Sequence, residues 1–349
     1  MSLAIITGSS GLVGSESVNF FCDKGFDVIG IDNNFRKYFF GQDGSTLWIK
    51  KNLQKRNKKF NHFSLDIRNY TSLEKIFKKY RNKISVIIHC AAQPSHDYGK
   101  NHPFLDFSIN ATGTLNLLEL TKKYCSNAPF IFMSTNKVYG DNPNKLKIYE
   151  KKTRWELNKN DKVFKGIDEN FSIDNATHSF FGVSKTYADL IVQEYGKNVG
   201  LKTVCFRGGC ITGPNHSGAR LHGFLSYLVK ASLLNKKYYL IGYKGKQVRD
   251  NLHSHDLVNC FWEFYKKPRN GEVYNMGGGR FSNCSIIEAL NLIEKLTNVR
   301  VKRKIISTPR VGDHIWYISD LSKFKKHFPN WKQMYDTKKI IEELIDNNI

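Results

Sequence analysis

Short apolar runs alternate with helix-length segments through the first two thirds of the chain. Each run is bounded by turn signals and is apolar at nearly every position, a pattern typical of strands buried on both faces of a parallel sheet. The predicted strands lie at 3–7, 26–32, 62–66, 85–92, 129–135 and 202–209. The predicted helices between them lie at 12–24, 71–80, 104–124 and 182–199. This βαβα alternation predicts an α/β fold with a doubly wound parallel sheet, the Rossmann arrangement.

The pattern changes after about residue 210, where the predicted elements become shorter. Helices are expected at 222–235, 255–266 and 282–297, with a strand at 238–241. We expect these residues to form a smaller C-terminal substrate-binding lobe. Residues 141–177 are polar, charged and irregular, so we expect a long excursion on the substrate side of the sheet.

Composition excludes several classes of protein. The chain has 349 residues, 40% hydrophobic and 24% charged, which is ordinary for a globular protein and long enough for two lobes. The seven cysteines form no CxxC pair and show no metal-ligand spacing, so we expect reduced thiols and no metal site. No apolar run approaches the ~20 residues of a membrane span, and the N-terminus lacks the charged start of a signal peptide. We therefore expect a cytoplasmic protein that does not insert into membranes.

The chain carries a formal net charge of +23, which raises the question of a nucleic-acid partner. The densest basic stretch is Lys50 to Lys59, but Lys and Asn are abundant throughout the chain. The charge therefore indicates a compositional bias, and no recognition motif accompanies it. We expect no nucleic-acid partner, whereas a phosphate-bearing small substrate would use the same charge.

A glycine-rich sequence, TGSSGLVG, lies between the first predicted strand and the first predicted helix. Gly8, Gly11 and Gly14 allow a tight turn, the close approach of a pyrophosphate to backbone N–H groups, and helix-on-strand packing. The second predicted strand ends at Asp32, whose carboxylate can accept hydrogen bonds from ribose hydroxyls and would repel a 2′-phosphate. This arrangement favours NAD over NADP, although the neighbouring Arg36 could accept a 2′-phosphate.

Further motifs follow in the order of the predicted elements. HCAAQPS ends the fourth strand, NATG lies in the next helix at 110–113, and MSTNKVYGD spans 133–141. HSFFGVSK, GKQVRD and YNMGGG span 178–185, 245–250 and 274–279. With the glycine motif, these segments resemble the extended short-chain dehydrogenase/reductase superfamily, which includes nucleotide-sugar epimerases, dehydratases and decarboxylases. STNKVYGD, GKQVRD and GTLNLLE look most like the 2-epimerases of CDP-activated deoxyhexoses.

The resemblance implies an NAD site in residues 1–210 and a nucleotide-sugar site mainly in residues 211–349. The implied cofactor contacts are Gly8, Ser10, Gly11, Leu12, Val13, Gly14, Asp32, Asn33, Asp66, Ile67, Ala91, Ala92, Asn110 and Lys185. Asp66, at the end of the third predicted strand, would meet the adenine or be an ordinary loop carboxylate. The implied substrate contacts are Gln93, Asn136, His178, Cys210, His216 and Arg249. Arg249 matches the arginine that clamps the substrate pyrophosphate in the family.

The catalytic segment departs from the family pattern at one position. Thr135 matches the hydroxyl that relays a proton and Lys185 matches the lysine, but Phe181 occupies the position of the tyrosine base. Loss of a general base lowers the rate by about 10²- to 10⁴-fold. Another group could serve as base, the candidates being Tyr139, His178, Cys210, His216 and His222. Alternatively Thr135 acts with an ordered water, or the chain binds ligands without redox chemistry.

These features favour an NAD-dependent nucleotide-sugar epimerase, acting at C2 of a CDP-deoxyhexose if the resemblance extends to the substrate. A 4,6-dehydratase is disfavoured because the family's Asp-Glu pair after the threonine is replaced by Asn136 and Lys137. A decarboxylase would need an arginine for the carboxylate, for which Arg207, Arg220 and Arg249 are available. A binding protein without turnover is the remaining alternative. The helices at 104–124 and 182–199 correspond to the family's dimer interface, so we expect a homodimer.

Overall fold

The computed structural model describes residues 2–217, 223–309 and 312–347. In chain order its strands are β1 (Leu3–Thr7), β2 (Asp27–Ile31), β3 (Phe60–Phe63), β4 (Ile84–His89), β5 (Phe130–Thr135), β6 (Ile148–Glu150), β7 (Trp155–Leu157), β8 (Thr203–Gly208), β9 (Cys210–Thr212), β10 (Tyr238–Ile241), β11 (Val248–His253), β12 (Glu272–Met276), β13 (Asn283–Ser285), β14 (Arg303–Ile306) and β15 (Trp316–Tyr317).

The helices are α1 (Leu12–Asp23), α2 (Arg36–Phe40), α3 (Leu47–Arg56), α4 (Tyr70–Tyr80), α5 (His96–Asn101), α6 (Pro103–Phe107), α7 (Gly113–Tyr124), α8 (Phe180–Lys197), α9 (Phe224–Leu233), α10 (Ser254–Lys266), α11 (Ile286–Thr297), α12 (Ser322–His327) and α13 (Thr337–Asp346). Short 3₁₀ turns lie at Gln42–Gly44, Arg81–Lys83, Asn136–Tyr139, Asn142–Lys145 and Tyr243–Gly245.

Seven strands form one sheet in the order β12-β8-β5-β4-β1-β2-β3. The pairs from β3 through β2, β1 and β4 to β5 are parallel, and helices connect these strands along the chain. The strand order reverses at β1, which lies between β2 and β4. In such sheets ligands bind outside the carboxyl ends of the strands at the point of reversal. The predicted doubly wound fold is therefore confirmed.

The prediction for the third strand is wrong by two to three residues. The strand was expected at 62–66 with Asp66 at its end, but β3 spans Phe60–Phe63 and Asp66 lies in the following loop. Pairing with β2 decides this boundary, because the parallel register ends where Ile31 lies opposite Phe63. The Leu65 N–H then bonds the Phe63 carbonyl at 3.1 Å and turns the chain away.

The predicted helix over 104–124 is present as three joined pieces. A π-helical segment, Ser108–Thr112, connects α6 to α7. The wider turn of a π-helix is often found at functional sites, and here it contains Asn110, a predicted cofactor contact. Periodicity alone indicated one continuous helix because the apolar face runs through all three pieces.

Contacts divide the chain into two compact units, each discontinuous in sequence. The first unit comprises Met1–Val138, Phe180–Arg207 and Leu257–Tyr274. The second comprises Tyr139–Ser179, Gly208–Asp256 and Asn275–Ile349. A single boundary at residue 210 was expected, whereas the excursion joins the second unit and most of α10 returns to the first.

The first unit is built on the large sheet and its covering helices. Its core is formed by apolar residues of the sheet and of the inner faces of α4, α7 and α8. Many of these residues are fully buried. Ile5, Ile29, Ile87, Phe130 and Cys205 represent five of its strands. Because these strands are apolar on both faces, the sheet requires helices on each side.

The second unit has smaller sheets around its own apolar cluster. β10 pairs with β14, β11 pairs with β9, β13 and β15, and β6 and β7 form an antiparallel pair within the excursion. Helices α9, α11 and α13 supply much of the cluster. A capping box starts α11, since Ser285 accepts the Glu288 N–H while the Glu288 carboxylate accepts the Ser285 N–H. The predicted strand at 238–241 is observed as β10.

Within the three described ranges, no helix combines the length and the apolar character needed to cross a membrane.

Candidate active site

The glycine turn joins β1 to α1 and leaves no space for a side chain at Gly8 or Gly14. Gly8 has a φ of 65°, and a Cβ there would lie 2.7 Å from the Ala91 nitrogen. A Cβ on Gly14 would lie 2.0 Å from the Gly8 carbonyl oxygen, so the helix packs directly on the turn. The Gly11 N–H bonds that same carbonyl at 2.9 Å. These contacts explain the glycine spacing and bring the N-terminus of α1 to the reversal point of the sheet.

This turn fits the pyrophosphate of a dinucleotide. The hydroxyl groups of Ser9 and Ser10 are buried and have no hydrogen-bond partner among the described residues. A buried hydroxyl of this kind is stabilised when a phosphate oxygen accepts its hydrogen bond. The first turn of α1, at Leu12 and Val13, directs its backbone N–H groups towards the N-terminal end of the helix, where such a phosphate would lie. The predicted phosphate contacts therefore lie together in the first unit.

Asp32 follows β2 and braces the glycine turn. Its carboxylate accepts the Ser10 N–H at 3.0 Å and the Asn34 N–H at 2.7 Å. Burial raises the pKa of Asp32, and these two hydrogen bonds oppose that rise. The carboxylate thus lies beside the phosphate-binding turn, where a ribose hydroxyl is expected. Arg36 packs over the Phe40 ring, with its guanidinium carbon 4.7 Å from the ring centroid, and burial lowers its pKa to about 10.

Asn33 and Asp66 meet although Asp66 lies beyond the strand. Asn33 Nδ2 donates to Asp66 Oδ2 at 3.3 Å, and Arg68 Nη2 donates to the same oxygen at 2.7 Å. Burial raises the pKa of Asp66, but the Arg68 hydrogen bonds outweigh this and hold it below its ordinary value. Ile67 is buried, and a Cβ on Gly113 would lie 2.6 Å from its Cδ1. Asp66, the predicted adenine contact, and Ile67, a predicted cofactor contact, therefore lie on one structured loop.

The loop after β4 completes this edge of the sheet. The Ala91 N–H bonds Thr7 Oγ1 at 3.3 Å, and Ala92 follows in the half-buried backbone. Asn110 Oδ1 accepts the Gln93 N–H at 2.9 Å, and Asn110 Nδ2 donates to the Gln93 carbonyl at 3.1 Å. Asn110 therefore fixes this loop through its backbone and is itself buried.

The catalytic segment begins at the end of β5. Thr135 is half-buried, and its hydroxyl oxygen accepts the Lys137 N–H at 3.2 Å. Asn136 is buried between them at the start of a 3₁₀ turn. The threonine hydroxyl hydrogen remains available in this arrangement to donate to a ligand oxygen.

Lys185 lies beneath the same strand end. Its Nζ donates to the Met133 carbonyl at 2.8 Å and lies 4.1 Å from the centroid of the Phe132 ring. Burial lowers the pKa of Lys185 to about 8. Phe181, one turn earlier on α8, is buried, and its ring packs against the ring of His96.

Sequence reasoning missed His96 and two buried polar residues on helices that pack against α5. His96 begins α5, directly after the HCAAQPS segment, and Asp106 and Ser184 are buried polar residues of the same region. The available signal was position, since a titratable residue in a loop at the carboxyl end of a parallel strand is a candidate for the site. No residue spacing connects position 96 to position 181.

The second unit holds the other predicted residues. The Tyr139 hydroxyl is buried and donates to Asn275 Oδ1 at 2.8 Å, which disfavours Tyr139 as a base. His178 Nε2 lies 3.0 Å from the Ile173 carbonyl oxygen. Cys210 begins β9, where it pairs with β11.

His216 packs against Gly223, where a Cβ would lie 2.7 Å from the histidine Cε1. His222, also a candidate base, and Arg220 lie outside the described residues.

Arg249 lies on β11 and forms an ion pair. Its Nη2 donates to Asp313 Oδ1 at 2.5 Å, and its Nη1 donates to the Val248 carbonyl at 2.8 Å. The guanidinium is largely buried, with 12% of the side chain exposed. A buried guanidinium held in this way can bind a phosphate, which would compete with the Asp313 carboxylate for Arg249. In residues 2–217, 223–309 and 312–347, no cluster of three His, Cys, Asp or Glu side chains could hold a metal ion.

Known proteins share this architecture and these motifs. Residues 4–277 match the profile described as the NAD dependent epimerase/dehydratase family. The chain is 30% identical over 349 residues to the CDP-paratose 2-epimerase of Salmonella typhi, covering 98% of each chain.

Two solved structures share the fold at lower sequence identity. The UDP-glucose 4-epimerase of Thermotoga maritima, solved with UDP-glucose, has a TM-score of 0.78 and 23% identity, covering 99% of this chain and 98% of that one. The dTDP-glucose 4,6-dehydratase of Bacillus anthracis, in complex with NAD, has a TM-score of 0.77 and 24% identity, covering 99% of this chain and 96% of that one.

Proposed function

Because the chain belongs to the NAD-dependent epimerase/dehydratase family, we propose that it epimerises a nucleotide-activated sugar through a transient keto sugar. NAD is the family's cofactor, and when bound it supplies reversible hydride transfer at a sugar carbon. The buried serine hydroxyls and the glycine cradle described above fit this cofactor. Relatives include both epimerases and dehydratases. The residues that follow Thr135 distinguish between these two reactions.

We propose a task for each of the motif residues in the first unit. The Gly8–Gly14 turn would hold the pyrophosphate, Asp32 the adenosine ribose and Lys185 the nicotinamide ribose. Thr135 would donate to the reacting sugar oxygen and orient it, because its hydroxyl hydrogen stays available while the oxygen accepts the Lys137 N–H. These residues would hold the cofactor and orient the sugar, and a separate group must take the sugar's hydroxyl proton.

The observation that carries epimerisation is the pair Asn136 and Lys137. Elimination of water requires an acid for the leaving hydroxyl and a base for the adjacent carbon, and the dehydratases resembled here use an Asp-Glu pair at these positions. An amide cannot protonate a leaving group, and Asn136 is buried at the site itself. The chain therefore keeps Thr135 and Lys185 of the resembled oxidation site but lacks the pair for elimination.

Decarboxylation is less well supported, because two of the arginines that could bind a substrate carboxylate already pair with an aspartate. Arg207 is buried and paired with Asp189, and Arg249 is paired with Asp313. A binding protein without turnover is favoured by one observation, the phenyl ring of Phe181 at the position of the base. A CDP-sugar substrate with reaction at C2 is the finer proposal, and it rests on similarity to CDP-paratose 2-epimerase.

The test is incubation with NAD⁺ and a panel of CDP-, UDP-, GDP- and dTDP-sugars, followed by NMR of the sugar. We expect inversion of one carbon without net redox change, and retention of deuterium placed on that carbon. Loss of the label to water would indicate deprotonation next to a carbonyl and contradict the oxidation proposed here. Thr135→Val and Lys185→Ala should each lower the rate at least about tenfold. Thr186→Val, beside Lys185 on α8, is the matched control.

A further inference from the structure

An imidazole lies against the phenyl ring at the position where the resemblance places a tyrosine base. Phe181 is buried, with 7% of its surface exposed, one turn before Lys185 on α8. The His96 and Phe181 rings meet edge to face, with centroids 4.9 Å apart and planes inclined by 62°. A phenyl ring cannot accept a proton, whereas an imidazole accepts and donates one near neutral pH.

A buried glutamine holds the backbone that carries His96. Gln93 Nε2 donates to the Ser95 carbonyl at 2.8 Å, and Gln93 Oε1 accepts the Ser95 N–H. The same Nε2 donates to Asp106 Oδ1 at 2.6 Å. The Ser95 hydroxyl then caps α5 by accepting the Tyr98 N–H at 3.2 Å. The residue before His96 is therefore fixed at its N–H, its carbonyl and its side chain.

The same network reaches Phe181 from the other side. Asn110 Nδ2 donates to the Gln93 carbonyl at 3.1 Å and to the Ser184 hydroxyl at 3.0 Å. The Ser184 hydroxyl donates to the Phe181 carbonyl at 3.1 Å. These atoms are buried, so the network positions His96 relative to Phe181 independently of solvent. A histidine on a loosely held loop would not have this constraint.

We propose that His96 is the proton acceptor and donor of the epimerisation, in place of the tyrosine that Phe181 replaces; this inference rests on the function proposed above. Oxidation of the sugar carbinol removes a hydride and a proton as the C–O bond becomes C=O. NAD⁺, held by the glycine turn, would supply the hydride acceptor. The O–H bond of the sugar breaks, and its proton bonds to a ring nitrogen of His96. In the return step the imidazolium gives this proton to the carbonyl oxygen, which becomes the hydroxyl again.

The first experiment compares two histidine substitutions on the same short segment. His96→Gln keeps a polar side chain of similar size but cannot titrate, and His102→Gln is the matched control, since His102 ends α5 and stacks on Tyr98. We expect His96→Gln to lower the epimerisation rate at least about 100-fold and His102→Gln to change it less than about threefold. Calorimetric NAD⁺ binding and thermal unfolding check that both variants are folded.

The outcomes separate this proposal from the proposed function. A wild-type chain that converts no sugar of the panel overturns the function and the role of His96 together. An active wild type whose His96→Gln variant is folded and equally active overturns the role of His96 alone. A rate loss whose dependence on pH stays as in the wild type also contradicts proton transfer, because a purely structural substitution would not remove the rise in rate as the base loses its proton.

A second measurement needs neither substrate turnover nor a folded variant. In wild type labelled with [¹³Cε1]histidine, the pH midpoint of the His96 signal should move to lower pH when NAD⁺ is added, because the cationic nicotinamide disfavours the imidazolium. The His102 signal should not move. Other titratable groups lie on α5 and the elements packed against it: Asp97 and Tyr98 on α5, Asp106 on α6, Lys185 on α8 and Tyr38 on α2. An unchanged midpoint for His96 overturns the proposal.

Discussion

The Asp189 carboxylate accepts hydrogen bonds from two nitrogens of the Arg207 guanidinium, from Nε at 3.1 Å and from Nη2 at 2.8 Å. Both side chains are almost fully buried. The Ser134 hydroxyl, next to Thr135, donates to Asp189 at 2.5 Å. Asp189 lies one turn after Lys185 on α8, so its hydrogen bond from Ser134 connects α8 to β5, which carries Thr135, and its ion pair connects α8 to β8.

Removing the charge on one side of this pair should destabilise the fold. Asp189→Asn removes the buried carboxylate that pairs with the Arg207 guanidinium, and we expect a loss of about 3–5 kcal/mol in the free energy of unfolding. The measurement is urea unfolding followed by circular dichroism. Arg269→Met, which breaks a more exposed ion pair with Glu272, should cost at most about 1 kcal/mol. Equal losses in the two variants would contradict this account.

Asp32 should determine the choice of dinucleotide. Asp32→Ser removes the carboxylate that braces the turn through the Ser10 N–H, and we expect NAD affinity to fall at least about tenfold. Affinity for NADP should fall less, because the charge that repels the 2′-phosphate is removed as well. Calorimetry with both dinucleotides measures this difference. Asp27→Asn, at the opposite end of β2, is the control, and tighter binding of NADP than NAD by the wild type would overturn the assignment.

Arg249 should bind the substrate pyrophosphate. Arg249→Ala should weaken binding of the nucleotide sugar by about ten- to a hundredfold while NAD binding is retained, since one charge-assisted contact is lost. Isothermal titration with the sugar that the wild type converts measures the change. Arg303→Ala, on the exposed strand β14 of the same unit, serves as the control. An unchanged affinity would identify Arg249 as a structural partner of Asp313 only.

Lys185 should make stability depend on pH in a defined window. Burial lowers its pKa to about 8, so below pH 8 the folded and unfolded chains both hold this proton. Between about pH 8 and 10.5 the unfolded chain still holds the proton that the folded chain has released, so rising pH favours the folded chain. Relative to Lys185→Met, the wild type should therefore gain up to about 3 kcal/mol across this window.

Urea unfolding of both proteins at about pH 7.5 and about pH 10 measures that difference, and other titrating groups cancel. The control is Lys197→Met, at the exposed end of α8. The difference in unfolding free energy between the wild type and this variant should be the same at both pH values. A stability difference that is constant with pH would contradict the lowered pKa of Lys185.

Apolar side chains exposed on α6 and α8 should form a homodimer interface. Phe104 is 92% exposed, Phe107 47%, Val183 53% and Leu190 43%, and α6 packs against α8. Covering such a face removes apolar surface from water, which is the main driving force for association. We expect the wild type to sediment as a dimer and Val183→Glu/Leu190→Glu as a monomer. Val199→Glu, just beyond α8, should remain dimeric; a monomeric wild type would refute the prediction.

The sequence determined the features that depend on local pattern. Continuous apolar runs identified six of the seven strands of the large sheet because burial on both faces requires them, and β1 was placed at its observed residues, whereas β12 was not predicted. The glycine spacing predicted the turn because a Cβ at Gly8 or Gly14 would collide with backbone. The motifs likewise placed Asp32 directly after β2, Thr135 at the end of β5 and Lys185 on α8.

Only the tertiary structure decided which distant groups meet. The end of β3 depends on its pairing with β2. Arg207 forms an ion pair with Asp189 on α8, and the sequence pattern of that helix does not predict this pair. The contact between His96 and Phe181 joins the first turns of α5 and α8, which lie more than 80 residues apart in the sequence. Local pattern encodes which faces are buried, whereas the arrangement of loops at the carboxyl ends of the strands is set by strand order and helix packing. A proton-transfer group on a different helix from the residue that it replaces would therefore leave no trace in the motif.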